Sequence, residues 1–338
     1  MAWQRIRGHD RLIEGFQRVV QRGRLAHAYL FTGPAGIGKR LFANELARAL
    51  LCEKPATPLQ ACDHCTSCQL VDAGTHPDFR AAGKPEDALE FPIELMRELC
   101  NSFSLKSARG RGKIILIDDV DDFNEESANC FLKTLEEPPP RAVLILVGTT
   151  PERQLPTIVS RCQVVRFAPL SPDRLREVLQ QHDIRDPLLL DRLTHLSGGS
   201  PGLALALADP ELWEFRNRLL AGLLARPIDP VALATLWNEY VEQAGKESAP
   251  RRNRAKLVLR LLIDWLADAL ELTVGGRSRR ASSGDQTALH SLAQRSDPER
   301  LLELLERCLE ADRQIDRRVQ LVLVLEALLD SLTQRLAV

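Results

Sequence analysis

Short apolar runs alternate with helical periods in the first half of the chain. Five runs predict strands, at residues 28–32, 77–82, 114–117, 142–147 and 163–167. The run at 114–117 is apolar at every position, which is typical of a strand buried on both faces of a parallel sheet. Between the runs, apolar residues recur at i, i+3, i+4 and i+7, as in amphipathic helices. The pattern predicts an α/β domain built on a parallel sheet.

After a Pro-containing linker at 168–172, the pattern is helical throughout. Three short helices are predicted before residue 208, and longer ones follow at 211–224, 230–243, 252–272, 288–294, 298–312 and 317–336. A Gly-, Ser- and Arg-rich segment at 275–284 has the composition of a mobile loop. The change of pattern predicts an α/β plus all-α chain, with domains at residues 1–168, 169–208 and 209–338.

Composition excludes several classes of protein. The 338 residues are 44% hydrophobic and 27% charged, which is typical of a globular chain with two or three domains. A net charge of −1 gives no global basic field that would attract nucleic acid. No apolar run approaches the roughly 18 residues that a membrane span needs, and the N-terminus lacks the apolar core of a signal peptide. We expect a cytoplasmic protein without a membrane partner.

A glycine-rich loop follows the first predicted strand and precedes an amphipathic helix. Gly33, Gly36 and Gly38 allow backbone N–H groups to turn inward on a phosphate, and Lys39 can reach the terminal phosphates. One position departs from the P-loop pattern: Arg40 stands where a Ser or Thr hydroxyl would hold Mg²⁺. The loop predicts a nucleotide site, and whether ATP or ADP binds there stays open.

Acidic and polar residues end two further strands. Asp118 and Asp119 follow the run at 114–117, where a first acid would position Mg²⁺ and a second would polarise the attacking water. The alternative is a strand that merely ends in acidic residues. Thr149 follows the run at 142–147 and could contact a γ-phosphate or its water, although a threonine there equally fits a turn.

Four of the eight cysteines are clustered at positions 52, 62, 65 and 68. Thiolates at this spacing can enclose tetrahedral Zn²⁺, and four of them leave no open coordination position. Cys52, Cys62, Cys65 and Cys68 therefore predict a structural zinc module inserted in the α/β domain. The alternative is a set of unligated thiols in a loop. His64 and His76 are substitute ligands that the four cysteines make unnecessary.

Several motifs together resemble a known family. They are the run Leu-Ala-His-Ala-Tyr-Leu-Phe-Thr-Gly at 25–33, the four clustered cysteines, Leu-Lys-Thr-Leu-Glu-Glu-Pro-Pro at 132–139, and Ser-Arg-Cys at 160–162. In this combination the chain resembles the AAA+ clamp-loader subunits of bacterial DNA polymerase III, strongly over about residues 1–205. The resemblance implies a RecA-like AAA+ domain, a small helical lid domain and a C-terminal helical collar domain.

Within that family, the chain looks like a structural (stator) subunit rather than the gamma/tau motor. Arg40 replaces the metal-binding hydroxyl, Asp119 stands where the motor has a catalytic glutamate, and Gly202 falls where the motor has a sensor-2 arginine. The resemblance also implies that Arg161 acts as an arginine finger at a neighbour's ATP site. From the residues alone, a surface ion pair is the simpler interpretation of Arg161.

The resemblance implies a set of partners. They are the gamma/tau and delta subunits in a hetero-pentameric ring, with the sliding clamp and primer-template DNA reached through the complex. Two other functions compete. One is a catalytically active AAA+ ATPase, the motor subunit, which the retained Lys39 would allow. The other is a zinc-dependent nucleic-acid-binding module, which the charge balance and the lack of basic-aromatic patches disfavour.

Overall fold

The computed structural model describes residues 3–85, 88, 90–276 and 286–337. The chain divides into two compact units, one formed by the residues up to 185 with 197–204, the other by 186–196 with the residues from 205 onward. The division into three domains, with boundaries after residues 168 and 208, stays a prediction. The expected mobile loop at 275–284 lies outside the described residues from position 277 on.

A parallel sheet forms the centre of the first unit. Among the described residues it has five strands: β1 (Ala28–Thr32), β2 (Phe79–Ala82), β3 (Ile114–Ile117), β4 (Val143–Val147) and β5 (Gln163–Arg166). Their order is β2-β3-β4-β1-β5, and every neighbouring pair is parallel. All residues of β1, β3 and β4 are buried. The prediction of an α/β domain with a parallel sheet is confirmed.

Helices cover the sheet of the first unit. They are α1 (Asp10–Gln21), α2 (Lys39–Leu51), α3 (Thr66–Asp72), α4 (Ile93–Ser104), α5 (Glu125–Glu136), α6 (Pro156–Val159) and α7 (Pro172–Gln181). The start of α5 is fixed by the Asn124 side chain, which accepts a 2.9 Å hydrogen bond from the Ser127 N–H. Its end is fixed by Pro138, because a residue before proline is disfavoured in the helical conformation.

Helices alone build the described part of the second unit. They are α8 (Pro187–Leu196), α10 (Pro210–Leu224), α11 (Pro230–Glu242), α12 (Ser248–Thr273), α13 (Gln286–Arg295), α14 (Pro298–Asp316) and α15 (Leu321–Ala337), while α9 (Pro201–Ala206) begins in the first unit. Buried Trp237 and Trp265 are among the largest side chains of its core. The prediction of an all-α C-terminal part is confirmed. None of the described helices is both long and apolar enough to cross a membrane.

Several helices differ from the sequence pattern. The break between the last two helices lies at 317–320 instead of 313–316. Arg252 of α12 accounts for the shift, because its guanidinium donates to the backbone carbonyls of Ile315, Arg318 and Val319. Helix α3 was not predicted at all. The Cys65 sulfur caps it by accepting from the Cys68 N–H, a start signal that the polar loop did not reveal.

Candidate functional site

An open cleft of about 380 Å³ lies where β1, β3 and β4 end. The carboxyl ends of parallel strands share one edge of a sheet, so loops that are distant in sequence meet there. Most of the predicted nucleotide-site residues line this cleft, namely Gly36, Gly38, Lys39, Arg40, Asp118, Asp119 and Thr149. Gly33 lies beneath, where its N–H donates a 2.8 Å hydrogen bond to the Thr149 carbonyl.

The glycines of the loop are required by its shape. Gly36 and Gly38 have φ values of +72° and +96°, in the left-handed region that side chains disfavour. Gly33 has φ +146°, and a Cβ there would lie 2.5 Å from the Phe167 carbonyl oxygen. Helix α2 starts directly after Gly38, so its free N–H groups face the cleft. The loop has the backbone conformation of a phosphate cradle.

Lys39 is turned back onto the loop. Its Nζ donates to the carbonyl oxygens of Gly33 and Pro34 at 2.6 and 2.7 Å. Burial lowers the pKa of Lys39, and the nearby carboxylates of Asp118 and Asp121 oppose that shift. These two bonds use two of the three N–H donors of the ammonium group, so one donor remains for a phosphate that enters the cleft.

Arg40 points across the cleft. Its Nη1 lies 3.6 Å from Asp118 Oδ2, and its side chain is otherwise largely exposed. The loop hydroxyl and the first acid after β3 are the usual magnesium ligands of a P-loop site. In this chain, a positively charged side chain stands beside the acid, and position 40 carries no hydroxyl.

Asp119 is held in an unusual backbone conformation. Its φ is +57°, and its Oδ2 would lie 3.3 Å from a Cβ at Gly83. Burial raises the pKa of the Asp119 carboxyl, and the charges of Asp118 and Asp122 raise it further, whereas a hydrogen bond from the Lys84 backbone lowers it. The carboxyl therefore lies against the segment after β2, at the edge of the cleft that it lines.

Asp121 is a cleft residue that the sequence interpretation missed. Its carboxylate accepts from the Thr149 N–H and from Gln154 Nε2, both at 2.8 Å. It therefore fixes the loop after β4, and it is the backbone of Thr149 rather than its hydroxyl that takes part. Asp121 belongs to the same acidic run as Asp118 and Asp119, but the residues that bind its carboxylate lie about 30 positions away in the sequence.

The start of α9 packs directly on the glycine loop. The Gly202 N–H donates to the Gly36 carbonyl at 2.9 Å, and the Ser200 hydroxyl donates to the Ala35 carbonyl at 2.9 Å. A Cβ at Gly202 would lie 2.9 Å from the Gly36 Cα. There is accordingly no space for a long side chain at position 202 in this arrangement.

The four clustered cysteines meet in space. The sulfurs of Cys52, Cys62, Cys65 and Cys68 all lie within 4.8 Å of one another. In a tetrahedral site with Zn–S bonds of about 2.3 Å, the sulfurs are separated by about 3.8 Å, so the cluster fits such an ion. Burial opposes ionisation of Cys65, but hydrogen bonds from Cys68 and Glu53 outweigh it and lower the pKa of this thiol to about 6. The four sulfurs can hold a metal ion.

The two histidines near the cluster are occupied elsewhere. His76 accepts from the Asp78 N–H through Nδ1 and contacts the Ser67 hydroxyl through Nε2. His64 is exposed, and its Nδ1 faces the Cys62 carbonyl. Arg48 of α2 fastens the module to the domain through an ion pair with Asp63 at 3.0 Å.

Arg161 lies on the surface just after α6. Its Nη2 pairs with Glu136 Oε1 at 2.6 Å, and its Nη1 donates to the Thr157 carbonyl at 3.0 Å. The simpler interpretation from the residues, a surface ion pair, describes these contacts within the chain. They leave open what the guanidinium meets on a neighbouring subunit, so the finger role stays a prediction.

Comparison with known proteins places the chain in a family. The family models "DNA polymerase III, delta subunit" and "DNA polymerase III, delta subunit, C terminal" match residues 8–171 and 210–334. The chain is 38% identical over 257 residues to DNA polymerase III subunit delta' of Pseudomonas aeruginosa, covering 73% of this chain and 71% of that protein. It belongs to the delta' family of DNA polymerase III subunits. The delta' subunit of Escherichia coli is 32% identical over 79% of this chain and 77% of its own length.

The chain is also similar, over part of its length, to a second type of DNA polymerase III subunit. DNA polymerase III subunit tau of Escherichia coli is 34% identical over 209 residues, which are 60% of this chain but only 32% of tau. Tau is therefore similar to somewhat more than half of this chain.

Proposed function

We propose that this chain is a structural (stator) subunit of the DNA polymerase III clamp loader. In this role it helps the complex to load the sliding clamp onto primed DNA at the expense of ATP. The observation that carries the proposal is the delta' family match, which extends over residues 8–171 and 210–334. A chain that shared only the P-loop domain would match the first range alone.

The cleft supports a subunit without its own ATP turnover. Arg40 faces Asp118 where a magnesium ion would lie, and Asp119 is engaged with the backbone of Lys84. Gly202 offers no arginine to a bound phosphate. Each of these three differences, at positions 40, 119 and 202, removes a group that would stabilise charge in the transition state of ATP hydrolysis. Such losses lower the rate of hydrolysis by orders of magnitude.

Arg161 is proposed to supply chemistry to a neighbour. An arginine finger in trans stabilises the charge on the γ-phosphate and is worth about 10³–10⁵ in rate in related systems. The side chain lies on the surface, about one third exposed, and its present partner Glu136 is half exposed. Exposed ion pairs are weak, so a neighbouring triphosphate can displace this one.

The metal of the cysteine cluster is proposed to be zinc with a structural role. Four buried or half-buried thiolates suit a soft, tetrahedral ion, and they leave no open position for a substrate. When bound, the ion would supply folding energy to the loop between α2 and α3 rather than take part in a reaction.

The partners follow from the same proposal. The chain would join gamma/tau and delta subunits in a hetero-pentameric ring, with its helices from about residue 210 onward contributing to a collar. It would reach the clamp and primer-template DNA through the complex. We propose a cytoplasmic location, because an assembly that loads clamps onto replicating bacterial DNA must meet that DNA in the cytoplasm.

One observation favours a second function, that of an active motor subunit. Lys39 and the left-handed glycines of the cradle are intact, and tau shares 34% identity over 209 residues. Turnover of Mg-ATP by the purified chain that is abolished in Lys39→Ala would establish the motor and defeat the stator role.

Reconstitution tests the clamp-loader function itself. Clamp loading onto primed DNA is measured with the other subunits present and this chain either omitted or restored. We expect loading to fall to background without the chain and to recover on its addition. Full loading in its absence would contradict the proposal.

A further inference from the structure

We infer that Glu136 is a positioning residue for Arg161 and holds its guanidinium ready for the neighbouring ATP site. This inference rests on the proposed role of Arg161 in trans. It assigns a task to the acidic end of the motif at 132–139, which neither the family likeness nor the cleft explains. It also joins that motif to the Ser-Arg-Cys triplet at 160–162 through one contact.

The guanidinium of Arg161 is held on both of its terminal nitrogens. Nη2 donates to Glu136 Oε1 at 2.6 Å, while Nη1 donates to the Thr157 carbonyl at 3.0 Å and reaches the Ser160 hydroxyl at 3.4 Å. A free arginine side chain loses considerable rotamer entropy when it is fixed by a ligand. Contacts that restrict the side chain before it meets the nucleotide reduce the entropy cost that binding at the neighbouring site must offset.

Glu136 occupies a rigid position. It is the last residue of α5, because Pro138 prevents the helix from continuing through Glu137. Glu137 has left the helix, with φ −124° and ψ +65°. The backbone of Glu136 is therefore fixed by the helix end and not by a loop.

The same apolar core fixes both partners of the pair. Phe131 and Leu135 of α5 and Ile158 of α6 are each about 1% exposed or less and belong to one buried cluster. Glu136 follows Leu135 directly, and Arg161 lies three positions after Ile158. A carboxylate and a guanidinium anchored on packed helices meet with little freedom, as a pre-organised group requires.

The pair remains easy to break. The side chain of Glu136 is 50% exposed and that of Arg161 is 36% exposed, so water screens their attraction. The phosphates of a bound nucleotide carry more charge and accept in the fork geometry that arginine prefers. Glu136 can thus order the side chain without preventing its transfer to a partner.

The neighbouring Glu137 provides a matched control. It has the same side chain, lies one position away and is exposed. Within the described part of the chain it forms no ion pair. A change of charge at 137 alters the local field almost as much as one at 136, yet leaves the contact with Arg161 intact.

The test measures DNA-stimulated ATPase of the complex of this chain with its ATP-hydrolysing partner subunit. Glu136→Gln, Glu137→Gln and Arg161→Ala are compared with wild type, and kcat and KM are determined separately. We expect Glu136→Gln to lower kcat about two- to fivefold, the range of an exposed ion pair, with KM unchanged. Glu137→Gln should match wild type, and the thermal midpoint of each variant chain should stay unchanged.

The double variant Glu136→Gln with Arg161→Ala completes the cycle. If Glu136 acts through Arg161, the double variant has the kcat of Arg161→Ala alone. A further loss in the double variant, or a kcat of Glu136→Gln equal to wild type or above it, would overturn the inference. If Arg161→Ala itself leaves kcat unchanged, the proposed finger role fails, and with it the task of Glu136.

Discussion

Arg40 Nη1 lies 3.6 Å from Asp118 Oδ2, within the cleft where a P-loop protein holds its magnesium ion. Arg40 stands where the P-loop pattern has a Ser or Thr, whereas Asp118 is the acid expected after β3. A guanidinium carries one charge in a fixed place and has no acceptor, so it can neutralise Asp118 but cannot bind a metal. We therefore propose that the guanidinium of Arg40 takes the place of a magnesium ion beside Asp118.

The first prediction concerns magnesium. Arg40→Ser removes the competing charge and restores the hydroxyl, so Asp118 becomes free to hold a metal together with a nucleotide. We expect manganese bound in the presence of ATP, detected by its paramagnetic resonance signal, to be at least about tenfold tighter in Arg40→Ser than in wild type.

Arg40→Lys is the control for this prediction. It keeps a positive charge near Asp118 without adding a hydroxyl, so its manganese affinity should resemble that of wild type. If wild type binds manganese and ATP as tightly as Arg40→Ser, the guanidinium does not take the place of the metal.

The second prediction concerns the cysteine cluster. Elemental analysis of carefully prepared protein should find about one zinc per chain, because four thiolates complete a structural site. Cys65→Ser should lose the zinc and lower the thermal midpoint of the chain. Cys130→Ser, which changes a half-buried cysteine outside the cluster, should keep it. Protein free of zinc, or a full zinc content in Cys65→Ser, would refute the assignment.

The third prediction concerns the contact between α9 and the glycine loop. Gly202→Arg introduces the arginine that the family resemblance implies for a motor subunit, but its Cβ would meet the Gly36 Cα at 2.9 Å. We expect urea unfolding to show a loss of about 1–3 kcal/mol, the usual range for overpacking.

Gly15 provides the matched control for Gly202. It lies in α1, and a Cβ there would have no atom within 4 Å. Gly15→Ala should be neutral or stabilising by up to about 1 kcal/mol, because alanine favours a helix over glycine. Equal stability of Gly202→Arg and wild type would mean that α9 does not rest on the loop in solution.

The fourth prediction concerns acid stability. Asp78 is buried, which opposes its ionisation, but hydrogen bonds from the N–H groups of Ala108 and Arg109 and from the Ser107 hydroxyl lower its pKa below the usual value. The pKa of Asp78 is lower in the folded than in the unfolded chain, so the ionised carboxylate stabilises the fold. This stabilisation is complete above the unfolded pKa of about 3.9 and is lost as the pH falls through the folded pKa.

Asp78→Asn tests this contribution. At neutral pH it should reduce the free energy of unfolding by about 1–3 kcal/mol, since it weakens bonds to a buried acceptor. Below pH 4 the difference from wild type should shrink. Asp173→Asn, at a side chain that is 90% exposed, should differ little from wild type at either pH. A difference that stays constant down to the acid transition would contradict this account of Asp78.

Strand positions and the motifs at their ends were predictable from the sequence. Runs such as Ile114–Ile117 are apolar throughout, and Gly36 and Gly38 mark a backbone that only glycine adopts readily. The cysteine spacing likewise predicted a cluster that the structure brings together. These features are local, so the residues that specify them are close in sequence.

Contacts between distant segments were not predictable. Asp121 binds Thr149 and Gln154, which lie about 30 positions away in the sequence. The side-chain conformation of Arg161 depends on its contact with Glu136, about 25 positions away. The extension of α14 depends on Arg252, whose guanidinium binds the Ile315 carbonyl in the last turn and the Arg318 and Val319 carbonyls beyond the helix end. Periodicity carries no information about such pairs, because each partner is unremarkable in its own segment.

The central claim is that this chain contributes an arginine to a neighbour's ATP site and turns over no ATP itself. ATP hydrolysis by the purified chain and by its complex with the gamma/tau subunit on primed DNA tests it most directly, with wild type, Lys39→Ala and Arg161→Ala. We predict no turnover by the chain alone, no loss in the complex on Lys39→Ala, and a loss of about 10³-fold or more at the adjoining ATP site on Arg161→Ala. Turnover by the chain alone that Lys39→Ala abolishes, together with an unchanged rate for Arg161→Ala, would contradict the account.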